Sequence, residues 1–491
     1  MRVTNAMVFN SSLNNIWRNA RHLNNLVTQI ETTQRIQRPS EDPMMANRAL
    51  RYRTILSEAE QFKSNNDRGL AWMEVTESSF LNLLVGTPSN PSIFQRLHDR
   101  LLQSSSTGIN HPDNQRGMID EMRQFLYQMT RIEMNQSYMG RYVFSGFHTD
   151  EPPVLHQARP NASYVVQQTF NRRDMASALA FHRPAPPERP VVFEDTHILK
   201  LPFTHVQFPG GPPIGGGVPP FGIDCPIGTN FTIVSMTSTD AAAFNPPNGG
   251  PPYVIHHIID TGELVLSNDA AEAFRDGTTI TFQTPSEGLQ AGDLNPRIYF
   301  PSWDLNDGNR HFNAAQQNIQ LEVSANSHVT VNSHASNVVT DKLVAELRRL
   351  IDFADSLELT DPLVLREHYS QIYTGDDLER AISDFQAFEV SLFADALHNR
   401  IDNLIRTLSE HHMPDAQAQH TNLGSRMSRM DMIQIRLEED EVAYTQLLSD
   451  TIDTDIAGTI ARRDGAQAAF SNALLAVSRA TQLSLADFIN R

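Results

Sequence analysis

The sequence predicts an α+β protein: an elongated antiparallel helical rod built from both termini, with an inserted β-rich outer domain. Three observations predict it. First, apolar residues recur at helical spacing at both ends of the chain. Leu13, Ile16, Ala20, Leu23, Val27 and Ile30 follow intervals of 3, 4, 3, 4 and 3, and Ala466, Phe470, Ala473, Val477, Ala480 and Ser484 follow 4, 3, 4, 3 and 4. A 3-4 alternation makes a narrow seam fitted to a partner helix. Second, 21 of the 28 prolines lie between Pro152 and Pro301, and a proline-rich segment cannot hold long helices. Third, residues 1–100 carry 12 Arg+Lys against 9 Asp+Glu, while residues 401–491 carry 8 against 13. Ends of opposite sign favour pairing. Exposed ion pairs contribute only about 0–1 kcal/mol each, so the apolar seams must carry the affinity.

Residues 1–40 form the N-terminal inner (assembly) helix, closed by Arg38-Pro39-Ser40-Glu41-Asp42-Pro43. Two prolines four apart cannot share a helix interior. Ser40 or Asp42 can cap the next helix, with Pro43 at its first position. Residues 41–150 form the N-terminal limb of the rod. Its helical period runs from Ala46 through Leu84, breaks at Gly86-Thr87-Pro88, and resumes over about 92–106 and 113–138. Residues 151–310 form the β-rich outer domain. Tyr164–Phe170, Phe231–Met236, Tyr253–Ile259, Glu263–Leu266 and Thr278–Phe282 are short, β-branched or aromatic runs bounded by Gly, Pro or Asn, as strands are. Thr261-Gly262 and Asp276-Gly277 are turn signals, and Pro209 to Pro220 is a Pro/Gly loop.

Residues 311–455 hold a hairpin and the C-terminal limb of the rod. The hairpin comprises Ile319–Val323 and Val329–Val331 around Ala325-Asn326-Ser327. Helical period then returns near 340, continues from Leu378 to Leu408 after Thr374-Gly375-Asp376, and ends in a long helix from about Asn422 to Asp450. Residues 456–491 form the C-terminal inner (assembly) helix, rich in Ala. The candidate assembly interface is therefore Leu13, Ile16, Ala20, Leu23, Val27 and Ile30 with Phe470, Ala473, Val477, Ala480, Leu485 and Phe488. A 3-4 stripe also suits ordinary core packing. Its place at the extreme ends of the chain, where cores hold least, tips the reading towards assembly. Such ends are expected to fold only when other copies supply the partner surface.

The net charge of −18 argues against nucleic acid or an anionic membrane as main partner. No stretch approaches the roughly 18 apolar residues of a membrane span. The polar opening, with Asn5, Asn10, Asn14, Asn15 and Asn19, lacks the apolar core of a cleavable signal peptide. The single cysteine, Cys225, permits no intrachain disulfide or multi-cysteine metal site.

No catalytic, cofactor-binding or metal-binding residues are assigned. The adjacent pairs His256-His257 and His411-His412 point apart in any regular element and are expected as solvated polar positions. Gly215-Gly216-Gly217 lacks the Gly-Lys-Ser/Thr ending of a phosphate loop. Glu438-Glu439-Asp440-Glu441 fans around a helix axis as a solvated face. No nucleophile elbow, kinase or zinc-protease pattern is present.

Several blocks together resemble a known family. Met1-Arg2-Val3-Thr4-Asn5, Arg38-Pro39-Ser40-Glu41-Asp42-Pro43 with Ala46-x-x-Ala49-Leu50, Asn65-Asn66-Asp67-Arg68-Gly69-Leu70-Ala71-Trp72, Tyr142-Val143-Phe144-Ser145-Gly146 and Ser484-Leu485-Ala486-Asp487-Phe488-Ile489 resemble the flagellar hook-associated protein 3 family, the hook–filament junction proteins. The likeness covers roughly 1–150 and 420–491. Flagellin shares part of the pattern but usually opens with Ile-Asn-Thr-Asn after Met, where this chain has Arg2-Val3-Thr4-Asn5.

The resemblance implies a structural adaptor: a homo-oligomeric ring between hook and filament, outside the cell, with the terminal helices lining an inner tube. It implies hook-associated protein 1, flagellin and an export chaperone as partners, and type III export without a cleaved signal peptide. A flagellin-like filament subunit, a hydrolase housed in the insert and a cytosolic coiled-coil scaffold are the alternatives.

Overall fold

The computed structural model describes residues 5–106, 112–182, 190–203, 223–224, 231–240, 242–250, 252–259, 261–275, 279–307, 310–312 and 317–489. The Pro209–Pro220 loop with its triple glycine, Cys225, the Asp276-Gly277 turn and the opening Met1-Arg2-Val3-Thr4 lie outside the described residues. Long helices occupy both ends of the chain and strands the middle, an α+β fold. The chain divides into two compact units. The first comprises Met1–Asp67, Glu322–Ser327 and Met430–Arg491; the second comprises Arg68–Leu321 and His328–Arg429.

In chain order, α1 (Asn5–Thr32) stops where Thr33 turns left-handed at φ 58°. α2 (Pro43–Phe80) starts as its cap residues dictate. The Asp42 carboxylate accepts from the Met45 amide at 3.0 Å, and Pro43 takes the first helical position, where no N–H is required. A π-turn, Leu81–Val85, ends α2. Gly86 follows at φ 62°, and a Cβ there would strike the Ser92 amide, so only glycine fits. β1 (Gly86–Thr87) and β2 (Asn90–Pro91) make a minimal hairpin before α3 (Ile93–Ser106) and α4 (Pro112–Tyr127). α4 passes into a second π-turn, Gln128–Glu133, and does not reach residue 138 as a regular helix.

β3 (Ser137–Tyr138) and β4 (Arg141–Tyr142) form a second small hairpin. The following Val143-Phe144-Ser145-Gly146 has a clear physical basis. Val143 and Phe144 are fully buried. Gly146 sits at φ 61°, where a Cβ would lie 2.7 Å from Gln317 Oε1.

The β-rich middle contains β5 (Arg159–Phe170), β6 (Ala176–His182), β7 (Val191–Lys200), β8 (Ile223–Asp224), β9 (Phe231–Met236), β10 (Tyr253–Ile258), β11 (Glu263–Leu266), α5 (Asn268–Arg275), β12 (Ile280–Leu289), α6 (Pro296–Tyr299), β13 (Ser302–Asp304) and β14 (Arg310–Phe312). They build two five-stranded sheets, ordered β6-β7-β11-β10-β9 and β14-β13-β5-β12-β8. Pairing is antiparallel throughout except between β10 and β9. Phe170 and Phe282 meet edge-on at 5.6 Å in the second sheet. Arg297 ties this sheet to the chain entering it: Nη1 donates to Glu151 Oε1 at 2.7 Å and Nη2 to Asp304 Oδ2 at 2.6 Å.

Beyond the sheets come β15 (Gln320–Ser324) and β16 (Ser327–Thr330), a hairpin turning at Asn326 with φ 59°. α7 (Ala335–Val338), α8 (Asp341–Ser356), α9 (Pro362–Tyr369), α10 (Asp376–Thr407), α11 (Met413–Ile452) and α12 (Ile456–Ile489) complete the chain. A third π-turn, Leu408–His412, joins α10 to α11. The last long helix therefore begins at Met413, upstream of the expected Asn422. The extra residue of the π-turn lets the helix continue past Pro414, which lacks an N–H.

Both histidine pairs differ from expectation. His256 and His257 are buried, because β10 is an inner strand between β9 and β11, and His256 Nδ1 lies 3.1 Å from the Ala243 carbonyl. His412 is buried too, 3.1 Å from Thr340 Oγ1 and 3.6 Å from Glu346 Oε2.

Candidate assembly interface

In the first unit α1 lies antiparallel along α12. The two are tied where one ends and the other begins. The Arg35 amide donates to the Ile452 carbonyl at 2.6 Å and the Thr454 amide to the Thr33 carbonyl at 2.9 Å, with Gln34 bridging Asp453. Asp455 caps α12, its Oδ1 accepting from the Gly458 amide at 3.1 Å. Thr459, fully buried, shares a 3.1 Å hydrogen bond between hydroxyls with Thr454. Two strand-like hydrogen bonds and a capped helix start thus set the register of the pair.

The seam residues fall where the helices meet. Leu13, Ile16, Ala20, Leu23, Val27 and Ile30 are all half-buried, and Leu26 beside them is buried. On α12, Ala466, Phe470, Ala473 and Val477 are half-buried while the residues between them are exposed. The structure brings these two rows together within one chain. The backbone of α12 continues helical through Ala480, Leu485 and Phe488, whose side chains lie outside the described residues.

Other large apolar side chains remain uncovered: Trp17 is 62% exposed, Leu474 46% and Leu475 57%. Sequence reasoning missed these three because they fall off the 3-4 spacing. The signal was present all the same, since Leu474-Leu475 is an adjacent pair of leucines in an alanine-rich stretch.

The second helical pair of this unit joins the start of α2 to the end of α11. Ala49, Ala59 and Asn66 are buried on one side, Met430 and Leu437 on the other. Asn66 Nδ2 donates to the Met430 carbonyl and to Gln434 Oε1, each at 3.1 Å, and Asn65 Nδ2 donates to the Glu322 carbonyl at 2.9 Å. A buried amide that finds its partners in one register only rejects the others, which gives Asn66 of the Asn65-Asn66 block its physical meaning. Lys63 donates to Glu441 Oε2 at 3.2 Å, and that carboxylate raises the Lys63 ammonium above its usual range. The acidic run is otherwise solvated: Glu438, Glu439 and Asp440 are exposed. Met432, Ile435 and Val442 are exposed apolar residues on α11.

Among the described residues no group of three or more His, Cys, Asp or Glu could hold a metal ion, and no helix is long and apolar enough to cross a membrane. What this unit presents is uncovered apolar side chains on helices already paired.

Residues 3–149 match the family model for the bacterial flagellin N-terminal helical region. No curated protein matches the sequence. Among solved structures, the chain is similar to FlgL from Xanthomonas campestris, at 10% identity and TM-score 0.30, over 82% of this chain and 99% of that one. It is similar to the flagellar junction protein FlgL from Legionella pneumophila, at 11% identity and TM-score 0.27, over 84% of this chain and 100% of that one. A Vibrio parahaemolyticus protein assigned as flagellar hook-associated gives 10% identity and TM-score 0.34, over 84% and 100%.

Proposed function

We propose that this chain, which carries a flagellin-type N-terminal helical region, is a structural adaptor of the bacterial flagellum. Its copies form a ring that joins hook to filament, by coupled folding and assembly of the terminal helices. One observation carries the reading. The region matched over residues 3–149 contains α1, which is docked on α12, and this pair leaves Trp17, Leu474 and Leu475 uncovered. Covering such side chains against another copy contributes up to about 1.5–3 kcal/mol per fully buried residue.

The role is structural and not enzymatic. The neighbours along the axis are hook-associated protein 1 on one side and flagellin on the other. The protein resides outside the cell, delivered by the type III apparatus without a cleaved signal peptide and escorted by an export chaperone. Leu13, Ile16, Ala20, Leu23, Val27 and Ile30 with Phe470, Ala473, Val477, Ala480, Leu485 and Phe488 form the assembly seam, closed within each chain as far as it is described, and the exposed Trp17, Leu474 and Leu475 beside it meet the next copy.

A second reading, a filament subunit polymerising in large numbers, is favoured by the match being to flagellin's own N-terminal region. Electron microscopy of a strain lacking the gene, with an immunoblot of its medium for flagellin, separates the two. Hooks without filaments, and flagellin lost to the medium, support the adaptor. Intact filaments reject it.

A further inference from the structure

The second unit contains a cavity of about 480 Å³ that the assembly role leaves unused. It lies among β6, the Thr261-Gly262 turn, α8 and α10. Phe181, Phe244, Phe353 and Phe393 line it together with Arg349 and Arg400. Phe181 stacks on Phe393 at 5.5 Å and meets Phe353 edge-on at 6.1 Å. An apolar, aromatic wall with a few convergent charged groups, in this range of volume, is the make-up of a small-molecule site.

The fold is built to bury the charges. Arg349 is 3% exposed, and its Nη2 donates to the Leu201 carbonyl at 3.0 Å and the Phe203 carbonyl at 3.1 Å. A Cβ on Gly262, at φ 63°, would strike that guanidinium, so glycine is what admits it. Arg400, 4% exposed, donates from Nη1 to Glu263 Oε1 at 2.6 Å, and its guanidinium lies 4.0 Å over the Phe353 ring. The Nε of each arginine, and Nη1 of Arg349, find no hydrogen-bond acceptor. Buried donors without acceptors are costly and call for an explanation.

Charge points the same way. Lys200 belongs to the same cluster, and burial holds both its ammonium and the Arg349 guanidinium below their usual ranges. Among the described residues, Lys200, Arg349 and Arg400 face two buried carboxylates, Glu263 and Glu346. Glu346 is already engaged by the Thr407 hydroxyl at 2.6 Å and by His412. The remaining counter-charge is Asp352, 3.6 Å from Arg349 Nη1 and about half exposed. Three cations thus meet three carboxylates, but the third, Asp352, sits half in solvent and beyond hydrogen-bond distance of Arg349, whose Nη1 is left without an acceptor.

We propose that this cavity binds a small amphipathic anion, with an aromatic or aliphatic body among the phenylalanines and a carboxylate or sulfonate drawn to the Arg349–Arg400 pair. The anion supplies the acceptors that Arg349 and Arg400 lack, and the body supplies contact area. Asp352 opposes entry.

The test uses the full chain and two fluorescent probes of nearly the same shape: anilinonaphthalene sulfonate and its neutral parent, N-phenylnaphthylamine. The sulfonate should bind at one saturable site, about tenfold or more tighter than the neutral probe, as a charge-assisted contact requires. Thr239→Trp, on an exposed lining residue, should abolish that binding, and Asp352→Asn should tighten it severalfold. Both variants should keep the wild-type melting curve. Equal affinity for the two probes would overturn the proposal. So would sulfonate binding undiminished in Thr239→Trp, since the probe would then be sitting on exposed apolar side chains elsewhere.

Discussion

Leu475 and Val477 are two residues apart on α12 and should respond oppositely to the same substitution. Val477 is half-buried in the row that faces α1, whereas Leu475 is 57% exposed in the free chain. Burying a whole leucine side chain contributes about 1.5–3 kcal/mol. About half of that, roughly 1–1.5 kcal/mol, is still unrealised at Leu475 until another copy covers it. Leu475→Asp forfeits this gain and adds the cost of enclosing a carboxylate, which on mutational scales is about 1–3 kcal/mol or more. The combined loss of about 3 kcal/mol per subunit raises the concentration needed for assembly roughly a hundredfold.

In the free chain the same substitution touches solvent and should stay within about 0.5 kcal/mol of wild type. Val477→Asp strikes the α1–α12 seam and should cost the free chain about 1–3 kcal/mol as well as blocking assembly. Assembly is read by sedimentation of purified chain over a concentration series, and free-chain stability by thermal melting followed by circular dichroism below the assembly threshold. If Leu475→Asp sediments at the wild-type concentration, the uncovered residues are not the contact. If it melts as early as Val477→Asp, the division between inner seam and outer face is wrong.

Two further outcomes are expected. Hydrogen exchange on purified monomer should find residues 1–40 and 455–491, held mainly by the α1–α12 pair, opening locally and exchanging well before the rest; protection of both ends as strong as that of the remaining chain would sink coupled folding and assembly. The second concerns acid stability at Arg297. Burial works against the charged forms of Glu151 and Asp304, but the Asn295 amide and the Arg297 and Arg159 guanidiniums at Glu151, and Arg297 with the Asn306 and Asp307 amides at Asp304, outweigh it and hold both carboxyls below their usual range. Folded values below the unfolded ones mean that the stabilisation is complete above about pH 4–5 and is lost as pH falls through the folded values. Arg297→Met should cost about 3 kcal/mol at pH 7 and flatten the acid side of the stability curve. A variant that loses stability in acid as steeply as wild type would refute the assignment.

What the residues disclose depends on where their contrast lies. The strands Phe231–Met236 and Glu263–Leu266 stand where β-branched and apolar runs are sharply bounded, and the structure places β9 and β11 on those same residues. β6 and β7 escaped notice. Ala176-Ser177-Ala178 is too small to show alternation, and the charged run of β7 hides a strand that ends in Lys200, part of the buried cluster around Arg349.

β12 extends beyond the expected run to Leu289, through Pro285. That proline pairs with Val165 on β5, and among the described residues β8 pairs with Thr281 and Phe282 on the other flank. The histidine pairs misled because adjacency argues only against chelation; burial was set by the strand order around β10, which no local pattern encodes. At the interface, the 3-4 stripe identified the face on which α1 and α12 meet each other. The face left uncovered, with Trp17, Leu474 and Leu475, follows only once that intrachain pairing is known.

The tie between Thr33–Arg35 and Ile452–Thr454 has a consequence for the order in which things happen. α1 is made first, yet the segment that shelters its apolar stripe is translated hundreds of residues later. A nascent or truncated chain therefore carries a bare stripe, and one whose distal segment is present carries a covered one with its register set. In the proposed assembly the joint would work as a completeness check, since the paired geometry exists only on chains that have both ends.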